Sequence, residues 1–110
     1  MSDCVFCRIL AGELPSKMVY RDDRVAAFND IHPKAPTHVL VIPTRHVTRL
    51  SETKEDDREE LGYLLERARH VAELLGVSRA FRLEVNNGEE AGQLVPHLHI
   101  HILSESQPKN

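Results

Sequence analysis

Apolar residues recur along the chain with two different periods, and each period predicts its own kind of element. In residues 53–75, leucine, alanine and valine return every three or four positions, which predicts one long amphipathic helix. Thr53 and Asp56 resemble a capping box at the start of this helix, and Gly76 suits its end. A second, shorter helix is predicted over residues 5–11.

Five short segments carry the apolar, β-branched or alternating patterns that are typical of strands. The first two form a predicted hairpin, the third is a central strand and the last two follow the long helix; they are residues 16–20, 24–28, 38–42, 81–85 and 95–103. The pattern predicts an α+β fold, an antiparallel five-stranded sheet with one long helix on one face and a short N-terminal helix. The 110 residues fit one domain, 1–110, whose polar end at 104–110 is predicted to be loose.

The composition narrows the class of protein. With 41% hydrophobic and 28% charged residues, the chain is typical of a globular protein rather than a disordered one. A net charge of −3 argues against binding nucleic acid through bulk charge. The apolar run 39–42 is far too short to cross a bilayer, and the N-terminus lacks the basic and apolar regions of a secretory signal. We therefore expect a cytoplasmic protein that binds neither nucleic acid nor membrane.

Three of the seven histidines alternate with apolar residues near the end of the chain. In a strand, the side chains of His97, His99 and His101 would project from one face, while the residues between them enter the core. Imidazole, with its usual pKa of ~6.5, can act as nucleophile, acid or base near neutral pH. Such a cluster can bind a metal, bind an anion or attack phosphorus, and the plainer alternative is the solvated polar face of an edge strand.

The loop that precedes these histidines, residues 86–93, is rich in turn-forming residues. Gly92 permits the backbone to approach a ligand closely, with N–H groups exposed as anion donors. Together with Asn86 it suggests a phosphate cradle. Taken alone, an ordinary loop with glycines is an equally good interpretation.

Cys4 and Cys7 form the single Cys-x-x-Cys pair of the chain. This spacing fits half of a tetrahedral zinc site, which needs two further ligands. The other interpretations are a redox pair, which normally follows a strand, a structural disulfide, which secretion would favour, and two separate core thiols.

At this point the sequence resembles the histidine triad family, whose signature is three histidines separated by single apolar residues and preceded by Gly-Gln-x-Val. The match runs from about residue 4 to residue 103, and its ordered motifs are Asp30-Ile31, Pro36-Thr37-His38, Val41-Ile42-Pro43, His46, Gly92-Gln93-Leu94-Val95-Pro96-His97 and the histidine segment itself. The resemblance is nearest to the phosphoramidase-like nucleotide-binding members of bacterial type. It implies a hydrolase or transferase that acts at the α-phosphate of a purine nucleotide derivative through a nucleotidyl-histidine intermediate. A dinucleoside polyphosphate hydrolase and a nucleotide-binding module with weak or no catalysis are the alternatives.

The resemblance also implies roles for individual residues. His99 matches the nucleophile, His101 the histidine that contacts the phosphate, His97 the histidine that orients the nucleophile, and His38 the additional histidine beneath the triad. Asp30 matches the carboxylate that accepts ribose hydroxyl protons. The whole implied nucleotide-binding set is Phe28, Asp30, Ile31, Asn86, Gly92, Gln93, His99 and His101.

Bacterial-type members with an N-terminal Cys-x-x-Cys imply one structural zinc per chain, and no organic cofactor is expected. The matching metal ligands are Cys4, Cys7, His46 and His97. The implied partners are a purine nucleotide or nucleotide conjugate and a second copy of the chain, paired through residues 53–75 and 81–85. Leu94 departs from the usual Ser or Thr, whose hydroxyl assists the leaving group, and Ser104-Glu105-Ser106 replaces a Gly-Gly-Arg that often follows the triad.

Overall fold

The computed structural model describes residues 3–109. Within them lie two α-helices and five strands, in the order α1 Val5–Leu10, β1 Met18–Arg21, β2 Val25–Asn29, β3 Thr37–Pro43, α2 Arg58–Leu74, β4 Arg82–Glu84 and β5 Ile100–Ser104. The strands form one sheet in the order β1-β2-β3-β5-β4, and every neighbouring pair is antiparallel. This confirms the predicted fold class, including the long helix and the short N-terminal helix. Of the predicted domain 1–110, residues 1, 2 and 110 lie outside the described part of the chain.

The sheet has two apolar faces because alternate side chains of a strand point to opposite sides. All seven residues of β3 are buried. Val39 and Val41 join the core that packs against α2, whereas Leu40 and Ile42 join a smaller core on the other face. Phe6 of α1 belongs to that smaller core, so the short helix covers part of the face opposite α2.

The predicted strand 95–103 is only partly a strand. β5 starts at Ile100, because residues 95–97 form a tight turn in which the His97 N–H donates to the Val95 carbonyl at 2.8 Å. Pro96 within this turn has no N–H to contribute to a ladder. The Leu98 N–H then donates to the Val47 carbonyl at 2.6 Å rather than to a neighbouring strand. The alternation nevertheless holds, since Leu98 and the apolar residues of β5 at positions 100 and 102 lie in the α2-side core.

The start of the long helix differs from the prediction. Thr53 is not its cap, because its hydroxyl donates backwards to the Leu50 carbonyl at 2.8 Å. A 3₁₀ segment, Glu55–Asp57, comes first, and the Lys54 N–H donates to the Asp57 carboxylate at 2.9 Å. The helix ends close to the predicted position, and Gly76 follows it with a φ of +75°.

The segment predicted as a loose polar tail, 104–110, contacts the body of the protein at several points. Ser104 is a buried residue of β5. The Thr37 hydroxyl donates to the Ser106 carbonyl at 2.7 Å, and the Lys109 N–H donates to the Leu75 carbonyl at 2.8 Å. No helix within residues 3–109 combines the length and the apolar character that crossing a membrane requires.

Candidate functional site

Three imidazoles, those of His38, His99 and His101, meet on the face of the sheet that α1 partly covers. His38 comes from β3 and His101 from β5, and their ring centroids are 5.2 Å apart. The His99 ring centroid lies 4.9 Å from that of His101 and 5.1 Å from that of Phe6, to whose ring it is perpendicular. His97 points away from this group, towards the N-terminal cysteines. The structure therefore divides the predicted triad between two neighbouring clusters.

The His99 ring is held by a main-chain acceptor. Its Nδ1 lies 2.7 Å from the His97 carbonyl oxygen, which can only accept a hydrogen bond, so Nδ1 carries the proton. The lone pair of the neutral ring is then on Nε2, which has no partner among residues 3–109. Burial lowers the pKa of His99, so the ring is neutral at pH 7. This is the state in which an imidazole can act as a nucleophile.

His38, His101 and Asp30 form a polar group next to the His99 ring. His38 Nε2 lies 2.9 Å from His101 Nδ1 and 3.4 Å from Asp30 Oδ2. Burial lowers the pKa of His38, although the nearby Asp30 carboxylate opposes this effect. Burial together with the neighbouring His99 and His38 lowers the pKa of His101 to about 4. Both rings are therefore neutral near pH 7.

Cys4, Cys7, His46 and His97 form the second cluster, and their four ligand atoms all lie within 4.8 Å of one another. Cys4 Sγ is 3.3 Å from His97 Nδ1, and Cys7 Sγ is 3.4 Å from His46 Nδ1. Zinc–sulfur bonds of about 2.3 Å and zinc–nitrogen bonds of about 2.0 Å place S and N roughly 3.5 Å apart in a tetrahedron. The cluster therefore has both the donor atoms and the spacing of a closed structural zinc site.

His97 is oriented for such a site by the end of β3. Its Nε2 donates to the Pro43 carbonyl at 2.9 Å, which leaves the Nδ1 lone pair directed at the thiols. The ring is fully buried, and this burial lowers the pKa of His97 to about 4. His46 lies three residues after Pro43, so a single chain segment positions two of the four ligands.

The loop 86–93 is organised by its own hydrogen bonds. Gly88 and Gly92 have φ values of +92° and +93°, a backbone conformation that residues with a side chain rarely adopt. The Gly92 N–H donates to the Glu89 carbonyl, and the Gln93 N–H donates to the Gly88 carbonyl, each at 3.0 Å. The expectation that this loop exposes N–H groups as anion donors does not hold for these two groups, because both close the turn. Asn86 braces the same loop through its side-chain amide, which donates to the Ala91 carbonyl at 2.8 Å.

Gln93 holds this loop to the rest of the protein. Its side chain is buried and accepts from the Gly88 N–H at 2.8 Å. Its amide nitrogen donates to the carbonyls of Thr48, at 2.7 Å, and Val95, at 3.0 Å. No sequence pattern marked Thr48, because this contact joins positions 45 residues apart.

Of the residues predicted to contact ribose and base, Asp30 borders the histidine group and Ile31 follows it at the surface. Asp30 uses Oδ1 to accept the His32 N–H at 2.8 Å and directs Oδ2 to His38. Ile31 is 80% exposed and Leu94 is 85% exposed, so both present open apolar surface. Phe28 is buried against Phe6, and it supports the floor of the face rather than its rim.

Comparison with known proteins places this geometry in a family. A family model described as the HIT domain matches residues 11–108. A HIT-like protein of Synechocystis sp. is 48% identical over 101 residues, covering 92% of this chain and 89% of that protein. The crystal structure of a HIT family hydrolase from Legionella pneumophila is 40% identical with a TM-score of 0.90, and the match covers 96% of this chain and 95% of that one. A histidine triad nucleotide-binding protein from Candida albicans is 29% identical with a TM-score of 0.82, over 98% of this chain and 80% of that one.

Proposed function

Because this chain belongs to the HIT domain family, we propose that it is a nucleotide hydrolase or nucleotidyl transferase. The reaction takes place at the α-phosphate of a purine nucleotide derivative, such as an adenosine phosphoramidate. The observation that carries the proposal is the His99 ring, which is neutral, buried against Phe6 and bonded through Nδ1 to a carbonyl, with the lone pair on Nε2.

The proposed reaction has two steps. His99 Nε2 attacks the α-phosphorus, a P–N bond forms, and the bond from phosphorus to the leaving amine breaks as the amine takes up a proton from solvent water. Water then attacks the same phosphorus and releases a proton to solvent, the bond to His99 breaks, and a nucleoside monophosphate leaves. His101 acts by donating a hydrogen bond to a non-bridging phosphate oxygen, while Asp30 and Ile31 bind the ribose and the base.

The test is turnover of an adenosine phosphoramidate by the wild type and by His99→Ala. We expect kcat to fall by several orders of magnitude with KM little changed, because the lost interaction belongs to the transition state. Acid quenching of the wild type should trap labelled nucleotide on the protein. Turnover by His99→Ala at the wild-type rate would refute the assignment of His99 as the nucleophile.

Two alternative functions are separated by the same assay. Faster cleavage of a dinucleoside polyphosphate than of the phosphoramidate would favour hydrolysis of P–O–P bonds. Nucleotide binding with no turnover of either substrate would favour a binding module, which the absence of a hydroxyl at Leu94 supports.

We also propose that Cys4, Cys7, His46 and His97 bind one structural zinc ion per chain. The support is the donor set, the spacing of its atoms and the Pro43 carbonyl that orients His97. A bound zinc ion would hold α1 against the turn 95–97, and no catalytic step depends on it.

A homodimer is the proposed assembly. All three residues of β4, Arg82–Glu84, are exposed at the edge of the sheet, and Leu83 is 37% exposed there. Leu65 on α2 is 54% exposed, so both predicted pairing elements offer apolar surface. Light scattering should give twice the chain mass of 12.5 kDa, and a mass near 12.5 kDa would refute the dimer.

A further inference from the structure

A main-chain N–H group donates a hydrogen bond to one of the three clustered histidines, His38. The Lys34 N–H donates to His38 Nδ1 at 3.1 Å. An amide N–H can only donate, so His38 Nδ1 must carry a lone pair. In the neutral ring the proton is then on Nε2.

This assignment fixes the proton of the next ring. His38 Nε2–H lies 2.9 Å from His101 Nδ1, with Asp30 Oδ2 as a more distant acceptor at 3.4 Å. His101 Nδ1 therefore accepts, and the His101 proton is on Nε2. This Nε2–H has no acceptor among residues 3–109, and the His101 ring is only half-buried, so it remains available to a ligand oxygen.

The same three side chains have the composition of a metal site. Ligand atoms of Asp30, His38 and His101 lie within 4.8 Å of one another, and two histidines with one carboxylate can bind a divalent cation. A cation between them would need lone pairs on His38 Nε2 and His101 Nδ1. The His38 proton would then have to move to Nδ1, where it would face the Lys34 N–H.

His97 provides the contrast within this chain. Its main-chain partner is an acceptor, the Pro43 carbonyl, which draws the proton to Nε2 and leaves the other nitrogen open to the thiols. His38 has a main-chain donor in place of an acceptor. The backbone group bonded to the ring, an acceptor for His97 and a donor for His38, therefore distinguishes the cysteine-containing cluster from the cluster of Asp30, His38 and His101.

We propose that the Lys34 N–H is a positioning group that fixes the protons of His38 and His101. In consequence, His101 presents an Nε2–H donor to the phosphate, and the cluster of Asp30, His38 and His101 rejects divalent cations. The phosphate part rests on the proposed function, whereas the proton positions and the rejection of cations do not.

The first test uses the wild type. NMR of ¹⁵N-labelled imidazoles should show His38 and His101 with the proton on Nε2, and His99 with it on Nδ1. A His38 ring protonated on Nδ1 would overturn the proposal. This measurement needs no substrate, so its failure is distinct from a failure of the His99→Ala turnover test.

The second test compares Lys34→Pro, which removes the N–H, with Lys34→Ala, which retains it. The Lys34 side chain is exposed, so the alanine variant is a matched control. In Lys34→Pro we expect NMR to show a mixture of the two His38 tautomers. We also expect kcat to be lower by about five- to tenfold with little change in KM, because one main-chain hydrogen bond favours one tautomer over the other by about that factor. Lys34→Ala should match the wild type in both readouts, and an equal loss of kcat in both variants would overturn the proposal.

The third test is a Co²⁺ titration of the wild type and of Asp30→Asn, followed by absorbance and calorimetry. Both proteins should bind the same number of ions. One more Co²⁺ ion in the wild type than in Asp30→Asn would show that the cluster accepts a cation, and this result would overturn the proposal.

Discussion

Replacing Gln93 with methionine removes three side-chain hydrogen bonds and keeps nearly the same volume. The wild-type amide accepts from the Gly88 N–H at 2.8 Å and donates to the Thr48 and Val95 carbonyls at 2.7 and 3.0 Å. The Val95 carbonyl still accepts from the His97 N–H in the variant. The groups left without a partner are therefore the Gly88 N–H and the Thr48 carbonyl.

The magnitude follows from these two groups. A buried polar group without a partner costs about 1–3 kcal/mol. Gly88 and Thr48 are each half-buried, so water can reach part of the space, and the sum falls to about 2–4 kcal/mol of unfolding free energy. Because the loop 86–93 loses its hydrogen bond to Thr48 and, among residues 3–109, keeps only the one between Asn87 and Ser51, turnover should fall as well.

Urea denaturation gives the unfolding free energy, and phosphoramidate turnover gives the functional effect. Glu90→Ala is the matched control, because Glu90 lies exposed on the same loop and its removal should change stability by less than about 0.5 kcal/mol. If Gln93→Met is as stable as Glu90→Ala and only raises KM, the Gln93 amide contacts the nucleotide and the reasoning about the loop is refuted.

Three further predictions concern the metal cluster, the histidines and the leaving group. Cys7→Ser, or chelation of the wild type, should remove one zinc per chain and lower Tm, because metal binding adds to folding stability; an unchanged Tm in a zinc-free wild type would contradict this. The pKa of His101 is about 4 in the folded chain and ~6.5 in an unfolded one, so the unfolding free energy should decrease as the pH falls from 6.5 towards 4. His38 and His99 shift in the same direction, and urea midpoints that stay flat between pH 7.5 and 4.5 would contradict the assignment. Leu94→Ser should speed cleavage of poor amine leaving groups more than good ones, and equal acceleration of both would argue against a missing hydroxyl.

The alternation of residues was sufficient to predict which side chains enter the core. Leu98, Ile100 and Ile102 pack against the long helix as the two-residue period predicts. The length of the last strand was not predictable from that period, because it depends on where a neighbouring strand is present to form backbone hydrogen bonds. β3 ends at Pro43, and the chain before Ile100 instead follows the segment that contains Val47.

The start of the long helix shows a second limit of local patterns. Thr53 and Asp56 have the spacing of a capping box, yet the register of the 3₁₀ segment places Lys54 and Asp57 in those positions. Both pairs are separated by three residues and both include a carboxylate. The choice between them depends on how the preceding turn packs, and a single sequence does not encode that in its periodicity.

For the site, the sequence identified the ionisable side chains but not their protons. A main-chain group sets the proton of three of these rings: the His97 carbonyl for His99, the Pro43 carbonyl for His97 and the Lys34 N–H for His38. Every residue except proline offers such groups, so no residue type marks them. They become specific only when the fold brings one of them within hydrogen-bond distance of a ring.

His97 belongs to the cysteine-containing cluster and also contacts the His99 ring. Its Nδ1 lies 3.3 Å from Cys4 Sγ and 3.6 Å from Cys7 Sγ, and its carbonyl oxygen accepts the His99 Nδ1–H at 2.7 Å. A shift of His97 would therefore move the acceptor that keeps the His99 lone pair on Nε2. The turn 95–97 and the Pro43 carbonyl hold His97 from two other sides. A zinc ion bound as proposed would therefore be one more restraint on His97, whose carbonyl orients the proposed nucleophile His99, which gives a physical reason for the two clusters to be adjacent.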